Sequence, residues 1–383
     1  MAHWIFTEEH EMFRESVKKF VEKEIKPYVE QWEKDGEVPR SMYKRLGELG
    51  YLGIKFPEKY SGLGLDVITE AVYTEEMAKS GAGGANASLG ATLGIALSNV
   101  WKYGNEEQKQ KYLVPAIKGE IIAGLGITEP SGGSDVAAMR TRAKKDEDYY
   151  ILNGSKTFIT NGVNADYVVV AAKTSDGPTH RNISLFVVDT TSEGYSVGRK
   201  LKKLGWRSSD TGEIFFDNVK VPKENLIGEE NHGFYYIMQN FQYERITMAI
   251  GSVALAELAL EEAMKYSKER IQFDRPLSEI QVLRHKMVDM AVDIEKARNI
   301  TYRALYKFHK GEDAVTEATM AKAYATEMVC RVTDEAVQIH GGNGYMMEYP
   351  VQRYWRDARI QPIGGGTTQI MNEILTKRLG IIS

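Results

Sequence analysis

A single cysteine, Cys330, in 383 residues excludes any internal disulfide and favours a reducing compartment. No apolar run approaches the length that spans a bilayer, which argues against a helical membrane anchor. The opening MAHWIFTEEHEMF has neither a basic n-region nor an apolar h-region, so it does not read as a secretory signal, and the expected location is the cytosol. Charge of neither sign dominates: the formal net charge is −4, and nothing predicts affinity for nucleic acid or anionic membranes. The common nucleotide fingerprints, G-x-G-x-x-G and G-x-x-x-x-G-K-S/T, are both missing, and no metal site is expected. What remains is an ordinary globular composition, 43% hydrophobic and 27% charged, in a chain long enough for two or three domains.

The chain changes character twice. Residues 1–120 read as helices: Thr7 is a candidate cap with Glu residues behind it, and Phe13, Val17, Phe20, Val21 and Ile25 recur at helical spacing. From 121 to 231 short runs rich in Val, Ile, Phe and Tyr (YYILNG, SKTFITNG, ADYVVVAAKT, NISLFVVDT, GEIFFDNVKV) follow one another, bounded by Asn-Gly and similar turns. Strand after strand without helices predicts an antiparallel barrel or sandwich, not a Rossmann unit. Over 232–383 helices return, the first of them a helix of roughly 50 Å at about 1.5 Å per residue. The predicted class is α+β: helical domain, antiparallel β domain, helical bundle.

Several segments carry candidate chemistry, each beside a plainer reading. AGLGITEPSGGSD (123–135) is a Gly/Ser loop rich in backbone N–H groups, suited to an anionic or heterocyclic ligand, or simply a loop. KTFITNG (156–162) is a strand that ends in a site or in a hairpin. In QIHGGNGYMMEYPVQRYWRDAR (338–359) glycines break a helix beside His340, an acid–base candidate or a packed histidine. Arg270 and Arg275, just past the long helix, offer a phosphate site or a solvated loop. Cys330, in a helical run, reads as a structural thiol. Glu244 shares a helix face with Ile237, Phe241, Met248 and Gly251, while Arg245 should point elsewhere. A carboxylate on an apolar stripe is either buried for a purpose or rotated to water at a domain edge. Finally, IQPIGGGTTQI (360–370) brings something close to the main chain.

Taken together, in this order and spacing, these segments resemble the acyl-CoA dehydrogenase family over essentially the whole chain. ITEPSGGSD and QIHGGNGYMMEYPVQRYWRDAR are similar to its two signature stretches, with KTFITNG, KLGWRSSDTGEIFFDNVKVP and RIQFDRPLSEIQ between them. The resemblance implies a C-terminal four-helix bundle, a tetramer, and one FAD per subunit. It implies that Thr128, Ser134, Phe158 and Thr160 line the flavin or the pantetheine channel, with Phe158 where many members carry Trp. It implies that Arg270, Gln272, Phe273 and Gln281, with Gln338, Gly341 and Gly342, meet the FAD across a subunit interface, and that Thr367 and Gln369 touch it near the glycine run. Ser134, Tyr243, Arg245 and Gly366 are the implied substrate contacts.

The implied reaction is α,β-dehydrogenation of an acyl-CoA: a carboxylate removes the α-proton, hydride passes to flavin N5, and electron-transfer flavoprotein takes the electrons. Many members read I-Y-E-G-T where this chain reads Ile363-Gly364-Gly365-Gly366-Thr367, and their Glu is the base. A minority, resembling the isovaleryl-CoA and long-chain enzymes, carry Glu before an Arg on the long helix, as Tyr243-Glu244-Arg245 does. The resemblance thus implies Glu244 as base and Gly365 as amide donor to the thioester oxygen. It also implies a pocket widened at Gly364, with a branched, cyclic or bulky acyl group bounded by Leu89, Leu93, Leu97 and Tyr243. Alternatives within the resemblance are acyl-CoA oxidases, flavin monooxygenases and enzymes running the reductive direction; outside it stands a non-enzymatic CoA-binding scaffold.

Overall fold

The computed structural model describes residues 4–382; Met1–His3, part of the segment read for a leader, and Ser383 lie outside it. Helices α1 (Glu8–Phe20), α2 (Val29–Asp35), α3 (Arg40–Glu48), α4 (Val67–Ala78), α5 (Gly83–Gly90), α6 (Ser98–Tyr103), α7 (Glu106–Gln108) and α8 (Val114–Ile117) come first. Thr7 caps α1 as its sequence suggested, but the reciprocal partner is the His10 ring rather than a Glu.

The sheet follows: β1 (Ala123–Gly126), β2 (Arg142–Asp146), β3 (Tyr149–Thr160), β4 (Tyr167–Lys173), β5 (Ile183–Asp189), β6 (Tyr195–Lys200), β7 (Thr211–Pro222) and β8 (Leu226–Ile227). Its order is β6-β7-β3-β2-β4-β5-β8, mostly antiparallel, with β1 lying parallel on β4. A parallel pair needs a long crossover, and the β2–β3 hairpin supplies it. Asn153-Gly154 does not turn the chain. It sits inside β3 at a register shift against β7, where Gly154 takes φ +145° and a Cβ would stand 2.6 Å from Thr141 Oγ1. Asn161-Gly162 does end β3, but β2 lies between β3 and β4, so no hairpin forms there.

Helix α9 (Gly233–Glu269) then runs about 55 Å. The small β9–β10 ribbon (Ile271–Gln272, Arg275–Pro276), α10 (Gln281–His309), α11 (Val315–His340), α12 (Val351–Ala358) and α13 (Thr368–Arg378) complete the fold. Helix α9 touches β5 and α6 near its start, then α4, and packs along α10 and α11. Its side chains join two cores: Ile237 lies with β-sheet residues such as Val169 and Leu185, and Ile246–Ala263 with the bundle. Residues near 244 therefore sit where all three regions meet.

A second junction ties the same regions together. Arg353 Nε donates to the Gly81 carbonyl at 2.9 Å, the Trp206 amide donates to Asp357 Oδ1 at 2.6 Å, and the Ser208 amide to Glu33 Oε1 at 2.9 Å. Gly205 allows this approach, because a Cβ there would lie 2.4 Å from the Arg356 carbonyl oxygen. Backbone cannot yield as a side-chain tip can. Gly205→Ala should therefore cost about 1–3 kcal/mol, read as a fall in Tm of about 1–4 °C by calorimetry.

Candidate active site

The glycine run turns the chain between Ile363 and α13. Gly365 and Gly366 take φ +62° and +99°, which L side chains rarely adopt. Thr367 then caps α13, its side chain accepting from the Ile370 amide at 3.3 Å. Among the described residues, the N–H groups of Gly365 and Gly366 find no protein acceptor.

Glu244 faces this turn from α9. A Cβ placed on Gly365 would lie 3.6 Å from Glu244 Oε1 and 2.6 Å from Met248 Sδ. The helix-face reading thus holds: Ile237 is buried, Phe241 packs on the same core, and Met248 lies against the turn. Glu244 is half-buried, with protein on most sides. Burial raises its pKa from 4.5 to about 7, opposed by the charges of Arg245 and Lys322. Among the described residues it forms no ion pair. Arg245 is buried at 7% exposure, and its charge reaches Glu244 although no hydrogen bond joins them. Burial lowers the Arg245 pKa, and its Nε has no partner.

The sequence did not announce Lys322. It lies on α11 with no exposed surface, and its ammonium donates to the Gly366 carbonyl. Burial and the Arg245 charge bring its pKa down to about 8.

Tyr243 is anchored rather than free. Its hydroxyl donates to Glu70 Oε2 at 2.5 Å, Lys55 sits 4.7 Å over its ring, and Phe308 stacks at 5.0 Å. Of the leucines named for the acyl pocket, Leu93 and Leu97 pack in the cluster that holds Ile237, whereas Leu89 belongs to the core of the first helices.

A second group of candidates gathers on the sheet. Thr128 follows β1 and its carbonyl accepts from the Thr157 amide at 2.9 Å, which brings the 128–134 loop against the end of β3. Phe158 stands out from that strand at a bulge, 69% exposed with φ +60°. Thr160 ends β3 half-buried, and Ser134 is exposed on the loop. Beneath them lies a buried pair that no sequence pattern announces: Lys156 Nζ donates to Glu129 Oε1 at 2.8 Å and to the Ile127 carbonyl at 3.1 Å. Glu129 also accepts from the Arg140 and Thr141 amides. Burial pushes its carboxyl up, but the Lys156 charge and these hydrogen bonds more than offset it and hold it ionised.

A third group lies elsewhere. Arg270, Gln272, Gln338, Gly341 and Gly342 line one cavity of about 400 Å³. Gly341 has φ +59°, and no atom lies within 4 Å of a Cβ built on either glycine, so the main chain there is open to a ligand. His340 also borders it, but as a packed residue: it is buried, its Nδ1 donates to the Ala336 carbonyl at 2.8 Å, and it stacks on Tyr266 at 4.2 Å. Burial lowers its pKa. Phe273, 86% exposed at the ribbon tip, and Gln281, exposed at the start of α10, fall outside the lining, and Gln369 is exposed on α13. Cys330 is half-buried with its thiol pushed up to about 11 by burial, which suits a structural role. Among the described residues no group of side chains could hold a metal, and no helix is long and apolar enough to cross a membrane. An aromatic platform, a Gly-lined cavity with basic and amide side chains, and an open turn facing a carboxylate are the surfaces that suit a long, flat, phosphate-bearing cofactor together with a thioester.

Comparison with known proteins agrees. Models of the acyl-CoA dehydrogenase N-terminal, middle and C-terminal domains match residues 7–120, 124–219 and 231–380. The mitochondrial long-chain specific acyl-CoA dehydrogenase of Sus scrofa is 41% identical over 378 residues, 98% of this chain and 87% of that one. The 3-(aryl)acrylate reductase of Clostridium sporogenes is 37% identical over 374 residues, 98% of this chain and 99% of its own. A chain solved under the description "Electron transferring flavoprotein of Acidaminococcus fermentans: Towards a mechanism of flavin-based electron bifurcation" superposes with a TM-score of 0.95 at 40% identity, covering 99% of this chain and 100% of that one. The chain therefore belongs to the acyl-CoA dehydrogenase family, flavin-dependent oxidoreductases that carry FAD.

Proposed function

We propose that Glu244 is the base of an FAD-dependent α,β-dehydrogenation of an acyl-CoA, with the Gly365 amide as donor to the thioester oxygen. The observation that carries this reading is the 3.6 Å between Glu244 Oε1 and the position of a Gly365 Cβ: the carboxylate reaches the space in front of the glycine turn from the neighbouring wall. An α-proton of a thioester is weakly acidic. Its removal needs a desolvated base with a raised pKa and a donor aimed at the oxygen where enolate charge develops. Glu244 has the first property, and an uncommitted Gly365 N–H offers the second. Bound FAD supplies the acceptor for the hydride that leaves the β-carbon.

On this reading Thr128, Ser134, Phe158, Thr160, Thr367 and Gln369 hold the flavin end, and Arg270, Gln272, Gln338, Gly341 and Gly342 reach the pyrophosphate end of a cofactor across a subunit interface. Phe273 and Gln281 project away from both. That placement supports a homo-oligomer, expected to be a tetramer, in which the ribbon completes a site on another copy. The division into domains near residues 120 and 231 belongs to the same reading, supported by the change from helix to strand after Ile117 and back at Gly233. Electron-transfer flavoprotein is the proposed electron acceptor. The alternative is reduction of an enoyl or acrylyl substrate, favoured by the likeness to the aryl-acrylate reductase; Glu244 then returns the α-proton.

A Cβ at Gly364 would make only ordinary contact with Met248 Cε at 3.7 Å, so Met248 is the side chain that bounds the proposed acyl pocket beside Gly364.

Glu244→Gln should slow flavin reduction by acyl-CoA about 10²–10⁴-fold in stopped flow, and the parent rate should rise with pH through about 7; a near-parental rate in the variant removes Glu244 from the mechanism. Stability should move the other way. The carboxyl pKa is about 7 folded against 4.5 unfolded, so the folded state binds the extra proton and the parent loses stability as pH climbs through that interval. Glu244→Gln lacks this loss. Its stability advantage, followed by denaturant unfolding at a series of pH values, should be absent near the lower value and reach on the order of 1–2 kcal/mol at alkaline pH, the full shift being discounted for the water that reaches the carboxylate. Moving the base to the turn should require room: Glu244→Gly with Gly365→Glu should stay inactive, and adding Met248→Ala should recover measurable reduction, because Met248 Sδ occupies the new Cβ position.

A further inference from the structure

We propose that Lys322 is the positioning residue of this site: from α11 it holds the Gly366 carbonyl, and with it the Gly364–Gly366 turn, against the wall that carries Glu244. The inference rests on the Glu244 reading above. A lysine with no exposed surface is costly unless paired, and among the described residues Lys322 has no carboxylate at ion-pair distance. Among the described residues the one hydrogen bond of its ammonium goes to a backbone oxygen in a triple-glycine turn. Such a turn has the widest choice of conformations and the most entropy to lose. Two of its residues need positive φ, and a Cβ at Gly366 would meet Met371 Cε at 2.7 Å, so nothing bulky can stiffen it from within. The clamp comes from outside, through the carbonyl of the residue that follows the donor amide. Fixing that carbonyl fixes the peptide plane it shares with the Thr367 N–H, and so anchors the C-terminal end of the turn that carries the Gly365 N–H two peptide units back.

The same ammonium sets the field at the base. Glu244 feels Arg245 from its own helix and Lys322 from α11; Lys322 feels Glu244 and Arg245 from α9 and Glu327 from its own helix. Positive charge at Lys322 favours the ionised Glu244, so its loss raises the pH at which the base becomes competent. Lys322 therefore has two separable parts, a donor and a charge.

Lys322→Met removes both, and Lys322→Gln keeps a donor without the charge. In both, the acid limb of flavin reduction against pH should move up by about one unit. In Lys322→Met the Kd of the enoyl-CoA product, which has a thioester oxygen, should weaken about tenfold by titration calorimetry. The Kd of the acyl thioether analogue, which lacks that oxygen, should not change. Lys322→Gln should restore the preference for the thioester. An unshifted acid limb in whichever variant folds, or equal weakening of thioester and thioether, overturns the proposal. An inactive Glu244→Gln beside unaltered Lys322 variants removes only Lys322; an active Glu244→Gln removes the reading beneath it.

Discussion

A carboxylate held inside protein without an ion-pair partner is the constraint around which this molecule is arranged. Burial alone raises the proton affinity of Glu244, and two cations, Arg245 and Lys322, restrain the rise without neutralising it. Had either cation closed to a salt bridge, the carboxylate would be a weak base at every pH. Had both been absent, its pKa would lie higher still. Keeping charge near but not in contact needs rigid carriers, and the carriers are two long helices packed against each other, α9 and α11. The cost appears as buried cationic groups with few partners, including an Arg245 Nε that has none.

The glycine turn follows from the position of the base. With the carboxylate on α9, any side chain at 365 would collide with Met248 and crowd Glu244. Glycine removes the collision and leaves an amide, but it also removes the turn's own stiffness. The structure restores stiffness from both sides: Thr367 caps α13 immediately after the turn, and Lys322 takes the carbonyl between. Both devices act on the main chain, which keeps the space in front of Glu244 empty.

How much of this could be read from the sequence depends on how local each signal is. The Glu244 face was legible because a helix repeats every few residues, and Ile237, Phe241 and Met248 mark it. The long helices and the change to strands were legible for the same reason, through period and composition. Asn153-Gly154 misled because the turn-forming pair also suits a bulge, and only pairing with β7 and the nearness of Thr141 decide between them. Arg245 was expected to point away, and sequence adjacency gave no way to see that its charge still reaches Glu244. The Glu129–Lys156 pair spans 27 residues and the Lys322–Gly366 contact 44, and no periodicity links such positions. Their residue types suggested solvent-facing charge, and only the tertiary fold buries them.

The three groups of site residues also differ in how complete they are within one chain. Glu244, Met248, Lys322 and the turn are closed around one another by α9, α11 and α13. The sheet group is braced from below by Glu129 and Lys156, while Phe158 is left outward at 69% exposure. The cavity at Gly341 is walled on the bundle side, and beside it the β9–β10 ribbon presents Ile271 and Phe273 to solvent. Exposed aromatics on positive-φ backbone are costly twice, in surface and in strain. Both Phe158 and Phe273 are of this kind, at φ +60° and +53°. Two such residues, one beside each end of a proposed elongated cofactor site, are accounted for together if the first stacks on the cofactor and the second packs against a neighbouring copy. The half-buried base is thus the self-sufficient part of the site, and the cofactor-facing surfaces are the parts that await a partner.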